Sequence, residues 1–256
     1  MGINVKDIRV EPIRPDVANA FVKRYHYSGR VVHNSQLHLG AFYSGILHGV
    51  MSFGPSLDKH KIQGLVAGTR WNEFLELNRM AFDDYLPKNS ESRCLSVAMR
   101  IIKKQYPWIK WIVSFADGTR CGDGAIYRAS GFVLTMIKKN TDCMITDNGI
   151  VHTMTIKSSK KMMKKYGNWK IAINNEFGNA KPLVGFQLRY IYFIDKSCLS
   201  RLTVPVIPFS RIAEIGASMY KGERISRAGS VDGSTSASQV EGGGSIPTPA
   251  LTEVLA

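Results

Sequence analysis

Apolar residues recur along this chain with two periods. Alternating or short continuous apolar runs read as strands over residues 5–13, 37–43, 46–53, 73–82, the run ending at Asp117, 132 to about 137, and 183–194. Between them Pro15 opens a helix to about Arg24, and Ser90 or Ser92 caps a second to about Gln105. Val97, Ile101 and Ile102 give that second helix an apolar stripe, and Tyr106-Pro107 stops it. A shorter helical segment ends at Gly131. Ser44-Gly45 predicts a hairpin, as does Asp147-Asn148-Gly149 with residues 151–156 as the return. Gly54-Pro55 breaks a strand, and Lys59, His60 and Lys61 follow in a basic loop. The order predicts an α+β fold: a mixed sheet with a partly parallel centre, flanked by helices. We place one domain at residues 1–210 and a C-terminal extension at 211–256. The extension is Gly-, Ser-, Thr- and Pro-rich and expected to be disordered from about 226.

The run Ser114-Phe115-Ala116-Asp117-Gly118-Thr119 ends a strand at a carboxylate. Soon afterwards Tyr127-Arg128-Ala129-Ser130-Gly131-Phe132 presents a phenol on the next helix. The carboxyl edge of such a sheet is where ligands bind. An aspartate and a tyrosine there can serve one substrate as base and acid.

Charge adds a partner. The 256 residues carry a formal net charge of +14. From Ser226 onward there is one arginine against three acids, so the surplus lies in the part before the tail. A basic surface of that size attracts polyanions, nucleic acid foremost. Lys157, Lys160, Lys161, Lys164, Lys165 and Lys170 form its densest run, which either follows a phosphate backbone or coats a solvated helix. No apolar run is long enough for a membrane span and no secretory leader pattern opens the chain. The four cysteines lack CxxC spacing, and reduced thiols in a cytoplasm are expected. The six histidines show no HExxH or comparable metal spacing, so no metal site is expected.

The element order resembles the GNAT (Gcn5-related) N-acetyltransferases. More specifically, four segments resemble the Mom proteins of Mu-like phages. They are His38-Leu39-Gly40, Gly49-Val50-Met51-Ser52-Phe53-Gly54-Pro55-Ser56, Glu76-Leu77-Asn78-Arg79-Met80-Ala81-Phe82 and Ser114-Phe115-Ala116-Asp117-Gly118-Thr119. The resemblance covers roughly residues 20–210. It implies a transferase that adds a carbamoylmethyl group to the exocyclic amine of adenine, protecting phage DNA from restriction. Asn89-Ser90-Glu91-Ser92-Arg93-Cys94 stands where those acetyltransferases carry glycines in their pyrophosphate loop, a departure that weakens the case for coenzyme A.

On this reading Asp117, with His26, removes the amine proton, and Tyr127 protonates the leaving group. Arg79, Ser92, Ser90 and Asn89 hold the donor. Lys157, Lys160, Lys161, Lys164 and Lys165 hold double-stranded DNA. Each residue has a plainer reading: Asp117 a helix cap, Tyr127 and His26 packing and solvated groups, Arg79 a buried pair with Glu76 or Asp83. Trp71, Tyr85 and Trp108 are either packing residues or stacking surfaces for an extruded base. The donor is acetyl-coenzyme A or a glycine-derived compound such as glycyl-tRNA, which would make tRNA a second partner. Two other functions fit the residues: an acetyl-coenzyme A-dependent N-acyltransferase acting on a protein or small amine, and a DNA-binding protein without catalysis.

Overall fold

The computed structural model describes residues 3–220 and 223–224. Its main sheet has eight strands in the order β1-β2-β3-β4-β5-β8-β6-β7. They are β1 (Arg9–Pro12), β2 (Leu37–Tyr43), β3 (Ile46–Gly54), β4 (Phe74–Phe82), β5 (Trp111–Asp117), β6 (Val133–Thr146), β7 (Gly149–His152) and β8 (Lys181–Phe193). Neighbours are antiparallel except β4 and β5. This is the α+β mixed sheet the pattern predicts. The β2–β3 hairpin turns at Ser44 (φ 50°) and Gly45 (φ 80°), two consecutive left-handed residues whose twist suits a two-residue turn.

Helices cover both faces. Helix α1 (Pro15–Tyr25) starts at a proline whose fixed φ suits a first turn. It lays Ala18, Phe21 and Val22 on Val50 and Ala81. The short helix α2 (Lys59–Gln63) replaces the expected basic loop, because Asp58 caps it by accepting the Lys61 amide proton at 3.3 Å. On the opposite face lies α3 (Ser90–Gln105), with Cys94, Leu95, Ala98, Met99 and Ile102 buried in the main core. Val97 and Ile101 are only half-buried, so the stripe is rotated from the one expected.

Two expected ends are corrected. Strand β6 runs on to Thr146 through Lys138, Lys139 and Asn140, which the hydropathy pattern cannot flag but the β8 ladder sustains. The expected 151–156 strand stops at His152, whose Nδ1 accepts the Met154 amide proton at 3.2 Å and starts α5 (Thr153–Lys157). Helices α6 (Lys160–Tyr166) and α7 (Trp169–Phe177) follow, and the three share a small core of Ile156, Ala172 and Ile173.

The boundary expected at 210 is also corrected. Residues of α8 (Ser210–Glu214) and beyond enter the main core through Ile212, Ala217 and Met219. The described residues all belong to one compact unit. The tail expected to be disordered from about 226 lies outside the described residues. Among the described residues no helix is long and apolar enough to cross a membrane.

Candidate active site

Strands β4 and β5 pair only through Phe74↔Trp111, Leu75↔Ile112 and Glu76↔Val113. Past that point they separate, and the gap between Leu77–Met80 and Phe115–Asp117 is the wall of a cavity of about 270 Å³. Along β5, Trp111 and Val113 pack into one core while Ile112 and Ala116 pack into the other. Alternation therefore puts Asp117 on the face of Trp111 and Val113. Tyr127, on α4 (Ala125–Ala129), packs from the opposite face. The gap admits both, and Asp117, Tyr127, His26 and Arg79 line the same cavity.

Asp117 accepts the Thr119 amide proton on Oδ1 at 3.0 Å, and its carbonyl accepts from Arg120 and Cys121. This turn, rather than the cap of α4, fixes the carboxylate. The helix instead begins at Gly124, whose φ of 72° and closeness to the Tyr190 ring (2.6 Å from an added Cβ) leave no room for a side chain. Asp117 and Tyr27 also line two further cavities, of about 390 and 300 Å³.

Tyr127 is 8% exposed, stacked on Tyr190 at 4.9 Å and edge-on to Phe132 at 5.4 Å. The buried Ser114 hydroxyl donates to the Tyr127 oxygen at 2.9 Å, so the phenol's own proton is free to be given elsewhere. Burial pushes this phenol up to about 12, ahead of the lowering by Ser114.

His26 departs from its expected role. Its Nδ1 accepts the Ser28 amide proton at 3.2 Å and lies 2.8 Å from the Ser28 hydroxyl. That arrangement assigns the ring proton to Nε2 and leaves no free lone pair for proton removal. Burial, aided by the Arg79 charge, holds the imidazole down at about 4, so it is neutral at physiological pH.

Arg79 forms neither expected pair. Its Nε donates to the Arg30 carbonyl at 2.8 Å and its Nη1 to the Asn78 carbonyl at 2.6 Å. Asp83 pairs instead with His48 at 2.9 Å. Among the described residues no carboxylate lies within ion-pair distance of Arg79, so a fixed cation stands on the cavity wall.

The other expected donor residues do not join it. The Ser90 hydroxyl is buried and donates to the Pro87 carbonyl at 2.6 Å, which corrects the donor contact expected of it. Ser92 donates to the Asn89 carbonyl at 3.1 Å. Asn89 is an exposed left-handed residue (φ 72°) without a side-chain cap bond. None of the three lines the cavities around Asp117.

Lys157, Lys160, Lys161, Lys164 and Lys165 are exposed on α5 and α6. Lys165 is bound to Glu176 at 3.0 Å, and Lys157 lies over the Trp169 ring at 4.8 Å. His152 at the end of β7, with Met154, Thr155 and Phe177 of the α5–α7 segment, lines the 300 Å³ cavity together with Asp117.

Several wall residues were missed in the sequence. Tyr27 is 52% exposed with its ring 4.4 Å from that of His26. Glu76, Asn78 and Ser56 line the 390 Å³ cavity. Glu76 and Asn78 left a trace in the pattern, as polar residues among apolar strand neighbours. Trp71, Tyr85 and Trp108 lie elsewhere: Trp71 and Trp108 line a separate cavity, and Tyr85 stacks on His48.

Comparison with known proteins completes the picture. The Mom protein family matches residues 7–211. The methylcarbamoylase mom of Escherichia phage Mu is 35% identical over 207 residues, 79% of this chain and 82% of that protein. Among solved structures, an IAA acetyltransferase from Bacillus cereus aligns over 73% of this chain and 99% of its own, at 13% identity and a TM-score of 0.41. A GNAT family acetyltransferase from Elizabethkingia anophelis aligns over 73% and 98%, at 14% identity and 0.39. By the extent of the family match and the identity to the phage Mu protein, this chain belongs to the Mom protein family.

Proposed function

We propose that this protein is a transferase that adds a carbamoylmethyl group to the exocyclic amine of adenine in DNA, and so shields phage DNA from restriction in the host cytoplasm. The observation that carries the reading is the position of Asp117. It ends β5 four residues past the last β4–β5 pair, Glu76↔Val113, and it lines three cavities. Membership of a family whose phage Mu protein is a methylcarbamoylase supplies the reaction class.

The amine of adenine is conjugated with its ring and is a poor nucleophile. Attack is eased if its proton leaves as the bond forms. In the step we assign, the nitrogen–carbon bond forms and the bond from that carbon to the donor's leaving atom breaks. The amine proton passes to Asp117, and the leaving atom takes the proton of Tyr127. His26, a neutral donor through Nε2, orients a polar atom of the substrate. Arg79 supplies fixed positive charge to an anionic donor. Adenine stacked in a duplex cannot enter the gap, so it is extruded first. Tyr27, half exposed on the cavity wall, is the ring on which it stacks. The lysines of α5 and α6 hold the flanking phosphates.

Atom balance bears on the donor. An acetyl unit lacks the nitrogen of carbamoylmethyl, whereas a glycine-derived unit contains it. A glycine-derived donor, glycyl-tRNA being one, therefore supplies the atoms that acetyl-coenzyme A lacks; attack at its ester carbonyl releases the tRNA hydroxyl and gives the aminoacetyl isomer, which an isomerisation then converts to carbamoylmethyl. The serines at the start of α3 are turned to their own backbone. Mass spectrometry of DNA from cells making the protein tests the function. Modified adenosine is expected with the native chain and not with Asp117→Asn at equal soluble amounts. Unmodified adenosine throughout, with soluble native protein present, rules it out.

A further inference from the structure

Glu76 is the last β4 residue with a partner on β5, so it stands at the apex of the gap. Its carboxylate is held rather than stranded. The Ser56 hydroxyl donates to Oε2, and Asn78 is a second hydrogen-bonding partner. Asn78 is fixed in turn by the Ser35 hydroxyl, which donates to its Oδ1 at 3.0 Å. Glu76 shares the 390 Å³ cavity with Asp117 and Arg79. Burial nevertheless pushes its carboxyl above the usual glutamate range, outweighing Ser56, Asn78 and Arg79. Ser56 and Asn78 are two partners for a carboxylate that can accept about four hydrogen bonds, and the residue faces the cavity with acceptor capacity left.

We propose that Glu76 binds the nitrogen end of the two-carbon unit being transferred, accepting its N–H, and thereby separates that unit from acetyl. This rests on the carbamoylmethyl reading above. The two units differ where one carries nitrogen and the other hydrogen. Arginine and lysine donate and cannot accept that N–H. Asp117 is engaged with the amine proton, and Asp58, the other acid on this wall, caps α2. A site built around a half-buried acceptor disfavours a ligand lacking the donor, because the acceptor is left unpaired; the discrimination expected here is about a hundredfold.

The test measures modified adenosine by mass spectrometry in DNA from cells making the native chain, Glu76→Gln, Glu76→Leu or Ser56→Ala, with melting curves of each purified protein. Glutamine keeps an oxygen acceptor and leucine does not. We expect Glu76→Gln within about tenfold of native, Glu76→Leu down more than about a hundredfold, and Ser56→Ala about tenfold down with an unchanged melting curve. Native-level modification by Glu76→Leu overturns the proposal. So does a Glu76→Gln as inactive as Glu76→Leu, since that marks a proton carrier. Should Glu76→Leu fail to fold, native-level modification by Ser56→Ala overturns it instead. Absence of modified adenosine with the native chain defeats the carbamoylmethyl reading itself, and this proposal with it.

Discussion

Asp117 and Tyr127 reach one gap from opposite faces of the sheet, so their substitutions separate chemistry from packing. Asp117→Asn keeps an oxygen for the Thr119 amide and loses the base. We expect modification to fall about 10²- to 10⁴-fold with little change in melting temperature. Tyr127→Phe is different: it leaves the buried Ser114 hydroxyl without its acceptor. That change should cost about 1–3 kcal/mol of stability as well as activity, read together by melting and mass spectrometry. His26 gives a pH signature. Its folded value near 4 lies below the ordinary 6.5, so between those values the unfolded chain binds the extra proton. Stability is therefore full above about 6.5 and is lost as pH falls through 4. Part exposure reduces the loss to about 2 kcal/mol. His26→Gln should flatten the melting temperature across that window, and equal pH slopes for the two proteins would refute the assignment.

At the level of elements, the α5–α7 segment brings its lysines beside the 300 Å³ cavity without entering the sheet. Lys160 and Lys164 are exposed and free of ion pairs among the described residues, while Lys165 spends its charge on Glu176. Removing Lys160 and Lys164 as glutamines should lower the slope of log affinity for duplex DNA against log salt by about 2, and Lys165→Gln by less. Titrations at several salt concentrations read both. The lysine run was visible in the sequence, with a solvated helix as one of its readings, but the start of the first helix inside the expected 151–156 strand was not. Thr153, Thr155 and Ile156 favour a strand, and the His152 cap and the shared core of Ile156, Ala172 and Ile173 decide otherwise. The strands that frame the gap were legible because each is bounded by a turn signal and buried on both faces. The gap was not, since it depends on where β4 and β5 stop pairing, and hydropathy carries no information on pairing length. Asp117 stood out by its place at a strand's end and Tyr127 by its place on the helix that follows. Tyr27 became visible as a wall residue only once the chain had folded around it.

Across the whole molecule, the reactive gap is supported from below by the last packed part of the chain. Ile212, Ala217 and Met219 join Tyr127, Phe132 and Tyr190 in the main core, and Tyr220 bridges to Cys121 in the loop between Asp117 and α4. That segment follows the 13-residue strand β8 and closes over the face from which Tyr127 approaches. Truncation tests whether the site and this segment form one cooperative unit. A chain ending at Ser226 keeps every described contact, so its melting temperature and its modification of adenine should match those of the full chain. A chain ending at Ser210 loses three fully buried side chains and the Cys121 bridge. Exposing that much core costs several kcal/mol, at about 1–3 kcal/mol for each large side chain, and lowers the melting temperature by roughly 10 °C or more. The loss should be read first at the loop carrying Asp117, as faster amide exchange at Thr119–Gly124 than in β2 and β3. Equal exchange in both regions would mean that the C-terminal segment supports the sheet generally and not the gap.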